Sequence, residues 1–304
     1  MKKNGFIAGL AATLLIASCF HEIHELGLLK DGEGLLGTSL EWEMPDDAST
    51  PIHSLSLSIG GAARPFTQYY KDAKEAAGEL IPVAAGKNDV LTTVNLSEAD
   101  GFVIEGLPAT KADVAVGEVV VSLKNPASSP AQAWFAVTDA QVREREITLV
   151  KPALQRLLSS LSVNITQVPA GTKLILTMSN VAKSVNLTAK DADGRYGLPG
   201  EESVGDVQIA SLTAASDGPL GVENFMLLPT ASAFQRCILT LDITSALGNK
   251  ARCVCDAPHT ESGKTYSLEL DYTKLQPYMY LDTYSINPWE DGWTLNGEIL
   301  NPQE

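Results

Sequence analysis

The chain is poor in the residues that build catalytic and metal centres, with four histidines and four cysteines in 304 residues. Gly-x-Ser-x-Gly, His-Glu-x-x-His and the glycine-rich phosphate loop are all absent, so the usual serine-hydrolase, zinc-protease and nucleotide-binding constellations have no footing. We therefore expect no catalytic residues, no metal and no cofactor. Basic residues are also scarce: 22 Lys and Arg stand against 37 Asp and Glu. A surface of that sign repels polyanions, which excludes a nucleic-acid partner. Beyond the N-terminus no segment approaches the roughly 18 uncharged apolar residues of a membrane-spanning helix. What the chain does have is 44% hydrophobic residues and only 19% charged ones. It can bury real cores and is not a disordered polymer.

The first residues, Met1-Lys2-Lys3-Asn4, are basic, and Gly5 to Ala17 follow without a charge. A basic start, a short apolar stretch and small residues before a cut site are the marks of a secretory signal. Thirteen apolar residues are too few to span a bilayer. The stretch ends in Leu15-Ile16-Ala17-Ser18-Cys19, which resembles a bacterial lipobox with Ile16 where Leu is commoner. We expect cleavage between Ser18 and Cys19 and lipid on the Cys19 thiol. Removing 18 residues leaves 286, with 20 basic against 37 acidic side chains and a net charge of −17.

Three cysteines then remain, Cys237, Cys253 and Cys255. Cys253-Val254-Cys255 puts two thiols on one face of a strand, which suits burial better than pairing with each other. No zinc spacing or His cluster accompanies them. They read as small core hydrophobes, with a disulfide from Cys237 to Cys253 or Cys255 left open. Asp191-Ala192-Asp193-Gly194 begins like a calcium loop but lacks its closing ligands, so it reads as a turn. Acidic pairs such as Asp46-Asp47 and Glu201-Glu202 read as solvated surface. His21 and His24 read as solvated residues rather than ligands. Trp42 and Trp134 sit in apolar strand patterns and read as core, while Trp289 and Trp293 flank a turn and are expected to pack onto the fold.

Residues 19–37 read as a flexible, glycine-rich tether. From Thr38 the apolar period is mostly two. His53 to Ile59 alternates strictly, and Val90–Leu96, Val114–Leu123 and Trp134–Val137 continue as strands. Phe66 to Leu80 reads as a short helix closed by Gly78, and Pro82 to Gly86 as a turn. Leu154, Leu157, Leu158 and Leu161 are ambiguous between helix and strand. Beyond them come strands over 173–178, 184–188, 207–212, 224–228, 236–244, 250–255 and 265–272. Many short strands separated by Gly, Pro, Asn and Asp, with no βαβ alternation, predict an all-β sandwich. The expected division is 38–145 for an N-terminal domain and 146–304 for a C-terminal one.

The arrangement resembles the fimbrillin-associated anchor and minor-subunit lipoproteins of Bacteroidales type V pili. The residues that carry the likeness are Leu40-Glu41-Trp42, Pro82 to Leu91 and Val94 to Ser97 in the first domain. In the second they are Leu157 to Ile165, Phe225 to Thr230, Gly263 to Leu268 and Ile286-Asn287-Pro288-Trp289. One departure is Asn88, where the family favours an aromatic residue. The resemblance implies two tandem transthyretin-like or Ig-like antiparallel β-sandwich domains. It also implies lipid anchorage in the outer membrane at the cell surface, and contact with other fimbrial subunits by β-strand addition. Shaft members of the wider superfamily are cut by an arginine-specific protease. Arg143 and Arg145, at the expected domain boundary, are the candidate protease-sensitive linker, although a solvated linker is the plainer reading. The alternative function is a surface glycan-binding lipoprotein.

Overall fold

The computed structural model describes residues 29–62, 65–108, 118–231 and 236–275, with the backbone of 278–279 and 294–296. Strand accounts for 54% and helix for 6%, which makes the chain an all-β sandwich protein. In chain order the strands are β1 (Glu33–Thr38), β2 (Glu41–Trp42), β3 (Leu55–Gly61), β4 (Phe66–Tyr70), β5 (Ile81–Ala84), β6 (Gly86–Val94), β7 (Phe102–Glu105) and β8 (Val120–Leu123). Next come β9 (Trp134–Val142), β10 (Ile147–Val150), β11 (Ala153–Arg156), β12 (Ser159–Val168), β13 (Lys173–Met178), β14 (Val185–Lys190), β15 (Tyr196–Pro199) and β16 (Val207–Thr213). The last are β17 (Gly218–Leu227), β18 (Ile238–Thr244), β19 (Lys250–Asp256), β20 (Thr265–Asp271), β21 (Tyr278–Met279) and β22 (Thr294–Asn296). One α-helix, α1 (Ala73–Gly78), is present among the described residues.

Two compact units result. The first comprises Met1–Val94, Leu107–Gly117 and Ala136–Leu154; the second comprises Asn95–Gly106, Glu118–Phe135 and Gln155–Glu304. The division is therefore not a single cut at 145/146. The reason is strand pairing: the β7–β8 hairpin pairs with β14 through Val120 and Val121, so it belongs to the second unit. Periodicity tells a strand from a helix but does not name its partner.

In the first unit, β3 pairs antiparallel with both β4 and β6. Leu55, Leu57 and Ile59 bury on one face of β3. The opposite face is also buried but polar, and its hydroxyls pair: Ser56 with Thr93 at 2.7 Å and Ser58 with Thr67 at 2.9 Å. Hydroxyls can line such a layer because each finds a partner. Phe66–Tyr70 is a strand, not helix; its aromatic residues suit the half-buried pleat beside β3. The helix starts only at Ala73, where Asp72 Oδ1 accepts from Glu75 N at 2.8 Å and Glu75 Oε2 accepts from Lys71 N at 2.9 Å.

The tether reading ends earlier than 37. Glu33–Thr38 is strand β1, the middle of a three-stranded sheet between β10 and β5. Leu35 and Leu36 are fully buried there. Their apolar stretch is flanked by glycines that mimic a linker in composition. Pro82 to Gly86 is likewise not wholly a turn, because β5 runs from Ile81 to Ala84 against β1. Pro82 costs no ladder bond that β5 needs, since β5 pairs with β1 alone within that sheet.

In the second unit three sheets run in the orders β17-β12-β20-β22, β16-β13-β18-β19-β21 and β15-β14-β8-β7. β13, β18 and β20 alternate strictly between buried and less buried residues. The inward set includes Leu174, Leu176, Leu239, Leu241, Tyr266 and Leu268. Of the ambiguous leucines none is helical: Leu154 lies in β11, and Leu157 and Leu158 form the step to β12. Leu161 lies in β12, and Leu157 N donates to Ala133 O at 2.8 Å at the step between β11 and β12. The sheets are mixed rather than purely antiparallel: β1–β10, β2–β11, β12–β20, β19–β21 and β20–β22 run parallel. Each parallel pair is joined through long excursions into other strands, as parallel neighbours require.

Candidate functional site

The stretches that carry the family likeness in the second unit converge. Leu161 faces Phe225 across the β12–β17 ladder, and Ser159 faces Leu227. On its other side β12 runs parallel with β20, with Ser160 opposite Thr265 and Leu161 opposite Tyr266. Residues 157–165, 225–230 and 263–268 are thus neighbours around one sheet. β17 closes that sheet as a ten-residue edge strand, pairing on one side only within it. Such an edge offers backbone donors and acceptors to an added strand. One is already used: Met226 N donates to Ser129 Oγ at 2.7 Å. In the first unit, Pro82 to Leu91 spans β5, the turn and β6. Asn88 is fully buried, and its Nδ2 donates to Ala84 O at 3.0 Å, holding the turn around Gly86.

Ser18, Cys19, His21, His24, Trp289, Trp293 and the Ile286–Trp289 segment lie outside the described residues. Arg143 and Arg145 do not lie in a linker between units. They sit in the exposed turn joining β9 to β10, within the first unit. Arg145 has φ 58° and donates its N–H to Glu33 O at 2.8 Å, while its guanidinium meets Asp31 at 2.7 Å. Glu144 Oε1 accepts from Gly32 N at 3.0 Å. This turn clasps the entry of β1.

Cys237, Cys253 and Cys255 are all free thiols, and all are buried, so the open disulfide does not form. Burial pushes each thiol up, Cys255 to about 12, with the nearby Asp256 adding to the effect there. These are protonated, inert core residues rather than nucleophiles. Asp191-Ala192-Asp193-Gly194 is a turn. Asp191 Oδ1 accepts from Arg195 N at 2.8 Å and from Asp193 N at 2.9 Å, and Oδ2 accepts from Arg195 Nε at 3.0 Å. Those bonds, the Arg195 backbone N–H first, hold the Asp191 carboxyl below the usual range. Among the described residues no group of three or more His, Cys, Asp or Glu side chains could hold a metal ion. Trp134 is buried, as expected for a core residue, and Trp42 is half-buried.

One feature has no counterpart in the sequence pattern, a cleft of about 370 Å³ in the second unit, bounded by Tyr196–Pro199, Pro229–Ala231, His259–Ser262 and Gln155. That volume lies within the range of small-molecule sites. Gly197 makes one wall possible. Its φ is +92°, and a Cβ there would lie 2.5 Å from Phe135 Cζ. Under the opposite wall, His259 Nδ1 lies 3.4 Å from Cys237 Sγ and 3.5 Å from Thr230 Oγ1. Gln155 Nε2 donates to Tyr196 O at 3.1 Å. The only sequence signal was the Asp191–Gly194 turn, which says nothing of a cleft beside it.

No family model matches the chain, and no curated protein matches it. Among solved structures the chain is similar to a candidate adhesin from Bacteroides thetaiotaomicron, at 11% identity and a TM-score of 0.47 over 86% of this chain and 98% of that one. It is similar to the fimbrial anchor protein Mfa2 from Porphyromonas gingivalis, at 13% identity and a TM-score of 0.43 over 72% and 81%. It is also similar to a structure from Bacteroides thetaiotaomicron described as a candidate polysaccharide-binding protein, at 10% identity and a TM-score of 0.46 over 73% and 79%.

Proposed function

We propose that this protein is a non-enzymatic, lipid-anchored subunit of a surface fimbria, held in the outer membrane through Cys19 and contacting other fimbrial subunits by strand addition. The observation that carries the reading is the sheet β17-β12-β20. Three separate stretches that resemble fimbrial anchor subunits fold next to one another there, and the sheet ends in a long edge strand. Strand addition needs such an edge, with main-chain bonds supplying affinity and alternate side chains supplying specificity. The lipobox supplies the other half. Lipid on a processed N-terminal cysteine gives stable attachment where a single acyl chain binds reversibly. The buried, protonated thiols speak against a nucleophilic role.

The test is made in cells. Mass spectrometry of the mature N-terminus should find acylated Cys19, and Cys19→Ala should release the protein from membranes. Photo-crosslinkers at exposed positions of β17, such as Pro219 and Glu223, should capture fimbrial subunits. An N-terminus deeper in the chain, after Arg143 or Arg145, identifies a processed shaft subunit instead. Crosslinks only to unrelated proteins refute strand addition at this edge.

A further inference from the structure

We infer that the cleft between Tyr196–Pro199 and His259–Ser262 is a binding site for an uncharged saccharide residue, a role distinct from the anchor function and independent of it. The charged groups at the cleft are already spent. Asp191 and Arg195 close on each other at 3.0 Å. Glu261 closes on Lys264 at 2.6 Å. Arg195 also lies 3.5 Å from Asp193, and Lys190 Nζ lies 4.5 Å from the Tyr196 ring centroid, so the charges at the cleft are already engaged and a charged ligand would have to compete with these contacts.

The groups left over are hydrogen-bonding atoms of another kind. His259 turns Nδ1 inward to Cys237 and Thr230, which leaves Nε2 as the nitrogen toward the cleft, without a partner among the described residues. Gln155 commits its amide N–H to Tyr196 O, and its Oε1 is left as an acceptor. Ser262 donates its hydroxyl to Leu157 O at 2.9 Å and can still accept. The Tyr196 hydroxyl adds a group that both donates and accepts. Interleaved with these are the apolar surfaces of Leu198, Pro199 and Pro229, of which Leu198 is 39% exposed.

A ligand that matches must be neutral, must carry several hydroxyls that both give and take hydrogen bonds, and must present an apolar face. A pyranose has all three properties: equatorial hydroxyls around its rim and a C–H face that packs on rings and aliphatic surface. An organic anion would have to draw Lys190 off the Tyr196 ring, where its Nζ lies 4.5 Å from the centroid. A peptide strand is the competing occupant, because β15, the Tyr196–Pro199 wall, is an edge strand of its sheet, and the tetrapeptide comparator tests it.

The probes are the methyl glycosides of glucose, galactose, mannose and N-acetylglucosamine, with glucuronic acid and a neutral tetrapeptide as comparators. They are titrated into the full mature chain while the His259 ring resonances are followed by NMR. The expected result is a saturable shift of the His259 ring with at least one neutral glycoside. Affinity should fall about tenfold in Tyr196→Phe and in Gln155→Ala, the loss of one hydrogen-bonding group to a buried ligand. Tyr69→Ser, which removes an aromatic residue 65% exposed in the first unit, should leave affinity unchanged. The inference is overturned if no neutral glycoside gives a saturable shift at concentrations up to about 50 mM, a limit set by weak monosaccharide affinity. It is equally overturned if only glucuronic acid or the peptide binds, if binding survives intact in both cleft variants, or if Tyr69→Ser abolishes it. Circular dichroism confirms that the variants fold; should both unfold, the wild-type ring shift alone decides.

Discussion

Gly34→Ala is the most demanding test of how the first unit is built. Gly34 is a buried residue of β1, and a Cβ there would fall on the carbonyl oxygen of Arg143 and within 2.8 Å of Val142 Cγ1. Neither atom can move cheaply: one is backbone, and the other belongs to a residue 1% exposed. Relief requires β1 to part from the β9–β10 turn. That separation gives up Leu35 N to Glu146 O at 2.9 Å and Arg145 N to Glu33 O at 2.8 Å. Two bonds at about 1 kcal/mol each, with about 1–3 kcal/mol for overpacking, make a loss of about 3–5 kcal/mol. Typical domain stability is only about 5–15 kcal/mol. With a urea slope of about 2 kcal/mol/M, the first unit's midpoint should fall by about 2 M. Hydrogen exchange read by mass spectrometry should show protection lost in 33–38, 81–84 and 147–150 and kept in 159–168. Gly78→Ala provides the opposite sign. This exposed helix-end glycine lacks a positive φ, and nothing lies within 4 Å of its added Cβ, so it should gain about 0.4–1 kcal/mol. A Gly34→Ala midpoint within about 0.3 M of the parent would refute this account of β1.

Further expectations follow from the second unit. Gly197→Ala combines a left-handed φ with a clash on Phe135, and should destabilise by about 2–4 kcal/mol and lift the Tyr196 wall; calorimetry showing no loss of stability contradicts it. Acid should weaken the fold through Asp191 and Asp242, the latter held low chiefly by its bonds from Arg252. Their folded values lie below the unfolded value near 4, so their contribution is complete above about pH 4 and disappears as pH falls through the folded value. Asp242→Asn should flatten the stability–pH curve below about pH 4, and parallel curves for parent and variant would rule this out. With Cys19 lipidated or replaced, a disulfide reagent should find no fast thiol in the folded chain and three after unfolding; fewer than three would mean a disulfide.

The sequence was most legible where one face is apolar and the other polar. Lys173–Met178 alternates Leu174, Leu176 and Met178 inward, and its limits could be read without a structure. Legibility failed for two physical reasons. In β1 and β5 the composition imitates loop: Gly34 and Gly37 are there because neighbouring backbone and side chains press close, and Pro82 because β5 lies at a sheet edge. In Tyr196–Pro199 the strand is too short to show a period, and Gly197 is set by a contact with Phe135, sixty-two positions away. The cleft fails for the second reason as well. Its walls come from four separate stretches, and no local pattern marks their meeting. The three fimbrial-like stretches of the second unit were legible one at a time, but their convergence around β12 was not.

The anchor reading places a mechanical demand on β1, since a load entering along the chain from Cys19 reaches this strand before any other described one. β1 lies between β10, parallel over Leu35–Thr38, and β5, antiparallel over Glu33–Leu36. A pull along the strand axis loads both ladders together in shear, whereas an edge strand would have a single ladder to resist it. The clasp at its entry has two parts that can be separated. The ion pair Arg145–Asp31 is exposed, with side chains 51% and 92% accessible, and such pairs contribute at most about 1 kcal/mol. The main-chain bonds at Glu33 and Leu35 do not depend on it. Arg145→Ala keeps the backbone path while deleting the pair, so equilibrium stability should shift by less than about 1 kcal/mol, and protection of 33–38 should persist. If Arg145→Ala instead matches Gly34→Ala in lost protection, the guanidinium rather than the backbone close approach secures β1, and the force would pass through a contact that salt can screen.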